Sequence, residues 1–239
     1  MAVSLDSSPE GGLERCAGVV IVAAGVSRRM DGVDKVFAPL LGKPVISHTI
    51  AAFEACPQVG EIVLALHRDN LERGRRLVEA EGWRKVRQVC PGGERRQDSV
   101  KVGLDSLSPC LWVMVHDGAR PCVTQDILGS GIGEAERTGA AIPAVPVNDT
   151  VKMVDAEGVA LRTMPRDELR AVQTPQVFRY DLLRKAYQGD MDDVTDDASL
   201  VERLGHKVRV FPGSPDNIKI TTRIDLLLAE AILRDRVAR

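Results

Sequence analysis

Short apolar runs alternate with segments of helical spacing over the first part of the chain, and this alternation restricts the fold more than any other feature. The continuously apolar run Val19–Val22 is typical of a strand that is covered on both faces. Alternating strands and helices favour a parallel sheet with right-handed crossovers. We therefore predict a Rossmann-like, doubly wound and mostly parallel sheet in a three-layer α/β sandwich. The predicted strands cover residues 19–24, 61–67, 85–90, 111–117 and 140–147, and the predicted helices cover residues 45–56, 70–82, 94–107 and 124–139.

The alternation stops after Val147. Two short β-like pieces on either side of residues 155–158 predict a hairpin arm, over about residues 148–172, that leaves the sheet. Because an isolated hairpin is marginally stable in water, we expect the arm to pack on a second copy of the chain. The remaining boundaries are a flexible polar tail at residues 1–16 and a single domain over residues 17–239 that carries the arm.

The composition excludes several classes of partner. The 239 residues carry a net charge of −2 and only 3% aromatic residues, so we expect neither a basic surface for nucleic acid nor a stacking platform for bases. No apolar stretch reaches the roughly 18 residues of a membrane span, and the polar N-terminus lacks the apolar centre of a signal peptide. The five cysteines are scattered without a C-x-x-C pair, which is typical of reduced thiols. We therefore expect a cytoplasmic protein without a nucleic-acid or membrane partner.

The first predicted strand ends in small residues that are followed by cations. Residues 23–25 (Ala-Ala-Gly) let backbone N–H groups approach a ligand closely, and successive N–H groups in a turn bind anions. Arg28 and Arg29 offer forked donors to phosphate oxygens, and Lys35 adds a mobile point charge. Neither G-x-x-x-x-G-K-[ST] nor G-x-G-x-x-G is present. Several cations match a triphosphate better than a monophosphate; the alternative is an ordinary strand–helix turn with solvated basic residues.

Two further loops follow predicted strands, and ligands of doubly wound sheets bind at the carboxyl ends of the strands. In CPGGERRQDS, Gly92 and Gly93 expose the backbone and Ser99 offers a hydroxyl to the edge of a base, or the stretch is only a glycine turn before a helix. In HDGARP, Asp117 is a candidate Mg²⁺ ligand or a cap of the next turn. We expect His116 to form structural hydrogen bonds rather than to act as a base.

A lysine late in the chain stands between two apolar residues. If the stretch NIKIT is a strand, Lys219 points to the face opposite Ile218 and Ile220. We expect this lysine either to meet an anion beside the cleft or to be an edge-strand lysine that prevents strand pairing. No Ser–His–Asp or Cys–His arrangement is recognisable in the sequence, which therefore does not favour covalent catalysis.

These motifs together resemble those of one enzyme family. The stretches AAGVSRRM with Lys35, GGERRQDSV, HDGARP, AVPVNDTVK, TPQVF and NIKIT are similar, in this order and over about residues 17–235, to those of the 2-C-methyl-D-erythritol 4-phosphate cytidylyltransferases. The resemblance implies that CTP and 2-C-methyl-D-erythritol 4-phosphate are joined to give 4-CDP-2-C-methyl-D-erythritol and pyrophosphate, a step of non-mevalonate isoprenoid biosynthesis. It also implies in-line attack of the substrate's phosphate on the α-phosphate of CTP, without a covalent enzyme intermediate. The implied cofactor is Mg²⁺ or another divalent cation.

The resemblance further implies roles for individual residues. The catalytic residues, which meet the phosphates, are Arg29, Lys35 and Lys219. The CTP-binding residues are Ala23, Ala24, Gly25, Ser27, Gly93 and Ser99, and Ser27 stands where relatives often have glycine. The residues that bind the phosphopolyol are Asp117, which is also the implied metal ligand, Arg120, Thr150, Arg166 and Thr174. In the family, the arm with Thr150 and Arg166 crosses a homodimer and completes the partner's substrate pocket.

Two other functions remain open at this point. A ribitol 5-phosphate cytidylyltransferase shares the CTP loops and differs in the arm and the polyol pocket, and the NDTVK and TPQVF stretches favour methylerythritol phosphate over it. A non-catalytic nucleotide-binding relative would retain the fold and lose the reaction. The presence of Arg29, Lys35, Asp117 and Lys219 favours catalysis.

Overall fold

The strands and helices of the chain alternate as predicted. The computed structural model describes residues 16–25, 34–192 and 194–238, so of the predicted tail it includes Cys16 alone. Within these ranges the strands are β1 (Ala17–Ala23), β2 (Pro39–Leu40), β3 (Lys43–Pro44), β4 (Val59–Leu66), β5 (Val86–Pro91), β6 (Trp112–Asp117), β7 (Ala140–Pro146), β8 (Lys152–Val154), β9 (Ala160–Thr163), β10 (Arg170–Val172), β11 (Gln176–Arg179) and β12 (Arg209–Pro212). The helices are α1 (Val45–Glu54), α2 (Leu71–Glu81), α3 (Arg96–Ser106), α4 (Gln125–Thr138), α5 (Tyr180–Ala186), α6 (Asp197–Arg203) and α7 (Arg223–Ala238).

A mostly parallel sheet forms the middle layer of the fold, which confirms the predicted class. Its strand order is β10-β7-β11-β6-β1-β4-β5, and β12 pairs with β7. Strands β6, β1, β4 and β5 are parallel neighbours, so the loops after their carboxyl ends lie at one edge of the sheet. Strand β11 runs antiparallel between β6 and β7, an insertion that the sequence did not predict. The reason is that a strand of 4 residues has too short a pattern to reveal its direction or its neighbours.

Helices cover both faces of the sheet and complete the three layers. Val19 and Ile21 of β1 pack with Ile46 of α1 in one apolar core. Because side chains alternate along a strand, Val20 points the other way and packs with Leu104 of α3 in a second core. No helix within the described ranges is long and apolar enough to cross a membrane.

The predicted hairpin leaves the sheet as a separate unit. Strands β8 and β9 form an antiparallel two-stranded sheet of their own. Asp155 closes the turn between them, because its Oδ1 accepts hydrogen bonds from the N–H groups of Glu157 (3.1 Å) and Val159 (2.8 Å). Gly158 takes a positive φ of 83° in this turn, which a glycine adopts without strain. Strand β10 then returns the chain to the main sheet beside β7.

The segment that carries Lys219 is not a strand, so the edge-strand interpretation of this lysine is wrong. Residues 218–220 run as an extended loop, in which the N–H group of Ile220 donates to the carbonyl of Ala119 at 2.8 Å. Ile218 and Ile220 both pack against the core on one side. The alternation in the sequence therefore arises because Ile218 and Ile220 pack against the core and Lys219 is turned away from them. It does not arise from a strand in a sheet.

Candidate active site

Three loops at the carboxyl edge of the sheet enclose a cavity of about 140 Å³. They follow β1, β5 and β6, which are the three strands whose loops the sequence singled out. Many residues of the predicted nucleotide site line this cavity, and Lys219 joins them from the C-terminal part of the chain. The predicted residues that line it are Ala23, Ala24, Gly25, Lys35, Gly93, Ser99, Asp117 and Lys219.

The loop after β5 is held by close backbone contacts. A Cβ atom at Gly92 would lie 2.3 Å from the Cβ of Ala24, so a larger residue would push the loops of β1 and β5 apart. The Ser99 hydroxyl accepts a hydrogen bond from the N–H of Gly93 (3.1 Å) and donates one to the carbonyl of Arg95 (3.2 Å). Ser99 thus shapes the loop from within, as well as lining the cavity.

A neighbouring cavity of about 500 Å³ extends this space toward β4. Its walls include Ala24 and Gly93, which also line the first cavity, together with His67 and Arg68 from the loop after β4. The first cavity alone is smaller than a typical pocket for a small molecule, whereas the joined space is of ordinary size for a nucleotide. The sequence did not single out the β4 loop, because His67 and Arg68 belong to no glycine-rich or cationic motif.

Asp117 lies at the end of β6 inside a cluster of three cations. Its Oδ1 is 3.1 Å from Nε of Arg96, and its Oδ2 is 2.8 Å from Nζ of Lys219 and 3.5 Å from Nε of Arg120. Burial alone would raise the pKa of the Asp117 carboxyl, but the charges of Arg96 and Lys219 hold that pKa well below its usual range. The carboxylate is therefore ionised at physiological pH and fixes three cations at the carboxyl edge of the sheet.

Arg96 is the residue of this cluster that the sequence analysis missed. Its Nη1 donates to Oδ2 of Asp197 at 2.8 Å while its Nε faces Asp117, so one guanidinium spans two carboxylates. Asp197 is fully buried and also accepts a hydrogen bond from the hydroxyl of Tyr187. Burial raises the pKa of Tyr187 well above its usual value, so this hydroxyl stays protonated and remains a donor. The motif GGERRQDS contained Arg96, but it gave no reason to prefer it over Arg95, which faces Asp98 and Asp192 at the surface.

His116 forms structural hydrogen bonds, as expected. Its Nδ1 is 3.0 Å from the Thr174 hydroxyl, and its Nε2 is 3.2 Å from the carbonyl of Arg120. A carbonyl can only accept, so Nε2 carries the proton and Nδ1 accepts from Thr174. The Thr174 oxygen in turn accepts from the N–H of Asp117 at 3.1 Å. Burial lowers the pKa of His116 to about 3, so the ring is neutral and holds the loop that carries Asp117 and Arg120.

A second large cavity, of about 440 Å³, lies on the other side of the Asp117 cluster. Arg96, Asp117 and Lys219 line both this cavity and the first one, so the cluster is a wall that the two spaces share. Arg120 and Thr174, two of the predicted phosphopolyol ligands, line the second cavity only. Arg96 and Lys219 therefore present positive charge to both cavities, while Asp196 and Glu202 add negative charge to the second one.

The described part of one chain does not place every predicted residue at these cavities. Ser27 and Arg29, like Arg28, lie outside the described residues. Thr150 and Arg166 are exposed on the arm and line neither cavity. Arg166 instead donates from Nη1 to the carbonyl of Asn148 at 3.1 Å, which keeps it on the arm's surface.

The doubly wound sheet thus carries two cavities that share cationic side chains at its carboxyl edge, an arrangement that suits a protein that binds anionic ligands. Residues 17–235 match the model of the 2-C-methyl-D-erythritol 4-phosphate cytidylyltransferase family, and this chain belongs to that family. It is therefore a nucleotidyltransferase, and the family's reaction joins CTP and 2-C-methyl-D-erythritol 4-phosphate in isoprenoid precursor biosynthesis. The family resemblance predicted from the sequence motifs is confirmed.

Individual relatives agree over nearly the whole chain. The chain is 50% identical over 222 residues to the 2-C-methyl-D-erythritol 4-phosphate cytidylyltransferase of Dehalococcoides mccartyi strain CBDB1, covering 93% of this chain and 98% of that protein. The enzyme of the same name from Thermus thermophilus has a similar crystal structure, with a TM-score of 0.73, 35% identity, and coverage of 92% of this chain and 99% of that one. The 4-diphosphocytidyl-2C-methyl-D-erythritol synthase of Anaerococcus prevotii DSM 20548 gives a TM-score of 0.81 at 28% identity, with the same coverage.

Proposed function

We propose that CTP binds in the joined cavities beside Ala24 and that 2-C-methyl-D-erythritol 4-phosphate binds in the cavity lined by Arg120 and Thr174. The observation that carries this proposal is the shared wall of Arg96, Asp117 and Lys219, because two anions that approach it from opposite sides meet at the same cations. The phosphate of the second substrate then faces the α-phosphate of CTP. This is the arrangement that an in-line displacement needs.

The proposed reaction needs no general base. An oxygen of the substrate's phosphate, which is already ionised, forms a bond to the α-phosphorus of CTP, and the bond from that phosphorus to the bridging oxygen breaks. Pyrophosphate leaves with the bonding electrons, so no proton has to be removed from the nucleophile. This agrees with His116, which is neutral, buried and engaged on both ring nitrogens.

The protein's part in the proposed reaction is to place positive charge. Lys35 and Lys219 line the nucleotide cavity and would stabilise the charge that builds up on the phosphates in the transition state. Arg96 and Lys219 reach both substrates from the shared wall, and Arg120 faces the phosphopolyol. Asp117 holds Arg96, Arg120 and Lys219 in place through ion pairs, so these three side chains need not reorganise when the substrates bind.

The expected magnesium ion fits Asp117 poorly. Both carboxylate oxygens already face cations, at 3.1 Å from Arg96 and 2.8 Å from Lys219, so direct coordination would displace an ion pair. Among the described residues, no group of three or more His, Cys, Asp or Glu side chains could hold a metal ion. A divalent ion that arrives bound to the triphosphate would supply charge neutralisation without a protein cage, as Mg²⁺ commonly does.

A second copy of the chain would complete the site through the arm. Several apolar side chains of the arm are exposed, among them Val159 at 61% and Leu161 at 60%, and water is a poor environment for such a group. Packing the arm on a partner would cover them and would bring Thr150 and Arg166 toward a neighbouring pocket. This supports a homodimer with two shared sites. The five free cysteines support a cytoplasmic location, where thiols stay reduced.

Incubation with alternative substrates tests the reaction. The purified chain is mixed with CTP and Mg²⁺ and with either 2-C-methyl-D-erythritol 4-phosphate or ribitol 5-phosphate, and pyrophosphate release is followed. We expect turnover with methylerythritol phosphate and a product of the mass of its CDP derivative. Turnover with ribitol 5-phosphate alone would assign the chain to the other polyol, and binding of CTP without turnover of either would indicate a non-catalytic relative.

A further inference from the structure

Lys35 stands in a turn whose backbone is fixed on both sides of it. Oδ1 of Asp34 accepts a hydrogen bond from the N–H of Val36 at 3.1 Å, which encloses Lys35 in a turn closed by the Asp34 side chain. The N–H of Phe37 donates to the carbonyl of Asp34, also at 3.1 Å, and the carbonyl of Val36 accepts from the N–H of Ile46 in α1 at 2.8 Å. The backbone from which Lys35 extends is therefore well defined, although the lysine side chain itself has several rotatable bonds.

The start of α2 holds this turn from a distant part of the chain. Nδ2 of Asn70 donates to Oδ2 of Asp34, the carboxylate oxygen that the turn leaves unused. The guanidinium of Arg73, one turn further along α2, lies 4.3 Å from the centre of the Phe37 ring, within the range of a cation–π contact. Two contacts from α2 thus fix the two ends of the turn that carries Lys35.

The direction of the Asn70 side chain is not explained by a contribution to the stability of α2. An N-cap asparagine accepts a hydrogen bond from an N–H group of the first helical turn when its own backbone is extended, but Asn70 has helical backbone angles (φ −103°, ψ 0°) because the 3₁₀ turn Arg68–Asn70 runs directly into α2. Here the Asn70 side chain makes no such capping bond, and its amide is directed to Asp34 instead. The contact with Asp34 therefore accounts for the direction of the Asn70 amide.

The same loop also borders the nucleotide space. His67 and Arg68, at the start of the short 3₁₀ turn that ends at Asn70, line the cavity that adjoins the one containing Lys35. The β4 loop therefore has the ligand cavity on one side and the turn of Lys35 on the other. It is placed to set the position of Lys35 relative to a bound nucleotide.

We propose that Asn70 is a positioning residue for Lys35, acting through Asp34. The proposal rests on the role of Lys35 in the proposed function. A lysine that stabilises a transition state must present its charge close to the phosphates, and the position of the backbone from which this side chain extends sets where its charge can reach. The Asn70–Asp34 hydrogen bond fixes the backbone of Lys35 from outside the turn. Loss of this hydrogen bond would let the turn shift, while the cavity itself would remain open.

Steady-state kinetics of pyrophosphate release test the proposal with a reciprocal exchange. We expect Asn70→Ala to lower kcat about tenfold, with the KM for CTP changed by less than about threefold. Asn70→Asp should lower kcat further, because two carboxylates then face each other. The double variant D34N/N70D restores an amide–carboxylate pair with the roles reversed and keeps an acceptor for the N–H of Val36, so most of the lost kcat should return. Glu79→Ala, at an exposed position of α2, serves as the matched control and should behave as the unmodified chain.

A double-mutant cycle separates positioning from general destabilisation. In a Lys35→Ala background, Asn70→Ala should lower kcat no further, since the group that it positions is gone. Full additivity of the two losses, or an unchanged kcat in both Asn70 variants, would overturn the positioning role. An unchanged kcat for Lys35→Ala itself would instead remove Lys35 from the proposed function and the positioning role with it. Thermal unfolding of each variant checks that the fold is intact.

Discussion

The ammonium group of Lys219 lies 2.8 Å from Oδ2 of Asp117, at the wall that the two cavities share. The pair is asymmetric, because Asp117 is buried whereas the Lys219 side chain is 37% exposed. Asp117 is also held by Arg96 and Arg120, so three cations stabilise the one buried carboxylate. Lys219 is thus a partly exposed cation that is paired with a buried carboxylate.

Replacement of Lys219 should affect the chemical step more than the fold. We expect Lys219→Ala to lower kcat by about 100-fold, since it removes a preorganised charge from the transition state. The midpoint of thermal unfolding should change little, because the ammonium is partly solvated and two arginines still pair with Asp117. Steady-state kinetics and thermal unfolding measure the two effects. A large loss of stability together with an unchanged kcat would show that Lys219 is only a structural partner of Asp117.

Asp117 should make the stability of the chain depend on pH on the acid side. Its folded-state pKa is depressed, so the unfolded chain takes up a proton near pH 4 while the folded chain does not. The stabilisation is fully present above that pH and is lost as the pH falls below it. We expect Asp117→Asn to cost about 3–5 kcal/mol at pH 7, as for other broken buried pairs, and this difference should shrink below about pH 4. Urea unfolding of both proteins from pH 7 to pH 3 tests this, and a difference that is constant with pH would contradict it.

His116 should produce a separate pH dependence at higher pH. Burial lowers its folded-state pKa to about 3, whereas the unfolded ring titrates near pH 6.5. Stability that is present above about pH 6.5 should therefore fall as the pH decreases from there toward 3, by up to about 1.4 kcal/mol per pH unit. His116→Asn should remove this part of the slope in urea unfolding between pH 6.5 and 5. An unchanged slope in the variant would show that the ring is not kept neutral by burial.

Replacement of Arg96 by lysine should lower the activity of the enzyme. A single ammonium cannot contact Asp117 and Asp197 together in the fork geometry that Arg96 uses, so Arg96→Lys breaks at least one of these two ion pairs. We expect kcat/KM for both substrates to fall by about 10- to 100-fold, since Arg96 lines both cavities. Arg184→Lys, an exposed arginine on α5 that faces Asp105, is the matched control and should leave kcat/KM unchanged. Equal behaviour of the two variants would remove Arg96 from the site.

The arm should be needed for assembly and not for the fold of one chain. Leu161→Glu places a charge on the exposed apolar surface of the arm, and we expect it to shift the chain from dimer to monomer in sedimentation experiments. Leu111→Glu, at an exposed position before β6, is the control and should remain dimeric. A monomeric unmodified chain would overturn the proposed homodimer.

A mixture of inactive variants tests whether the arm completes a partner's site. Arg166→Ala and Lys35→Ala should each be nearly inactive, but a mixed dimer contains one site built from two intact halves. We therefore expect activity to reappear when the two variants are unfolded and refolded together, up to about a quarter of that of the unmodified protein for random pairing. No recovery, with mixed dimers shown to form, would place Arg166 outside the partner's site.

Much of the site was predictable because it lies in short local patterns. The loops after β1, β5 and β6 combine glycine, small residues and charges directly after apolar strands, and a parallel sheet brings such loops to one edge. The sequence therefore predicted that Asp117 ends a strand beside a cleft, and Asp117 lies at the end of β6 and lines both cavities. Its surroundings were not predicted, because three cations from separate parts of the chain converge on it, and nothing in the sequence near Asp117 indicates which of them will arrive.

Two cases show where sequence patterns no longer predict the direction of a side chain. Arg95 and Arg96 are adjacent and chemically identical, yet one faces surface carboxylates and the other spans Asp117 and Asp197. The sequence placed Lys219 beside the cleft, where the structure also has it. The argument from strand alternation was wrong, because Ile218 and Ile220 pack against the core from a loop and not from a strand. In both cases the direction of a side chain depends on contacts with distant elements.

The sequence by itself determined the alternation of strands and helices as far as β7, the mostly parallel sheet and the edge at which the glycine-rich and charged loops lie, because hydrophobic periodicity and loop composition act over a few neighbouring residues. Only the tertiary structure decided that Arg96 joins the two cavities and that Asn70 reaches Asp34 beside Lys35. These relationships connect α2, α3 and α6 to loops far from them in the chain. They depend on how whole layers pack, and close packing is a property of the assembled fold that no local pattern contains.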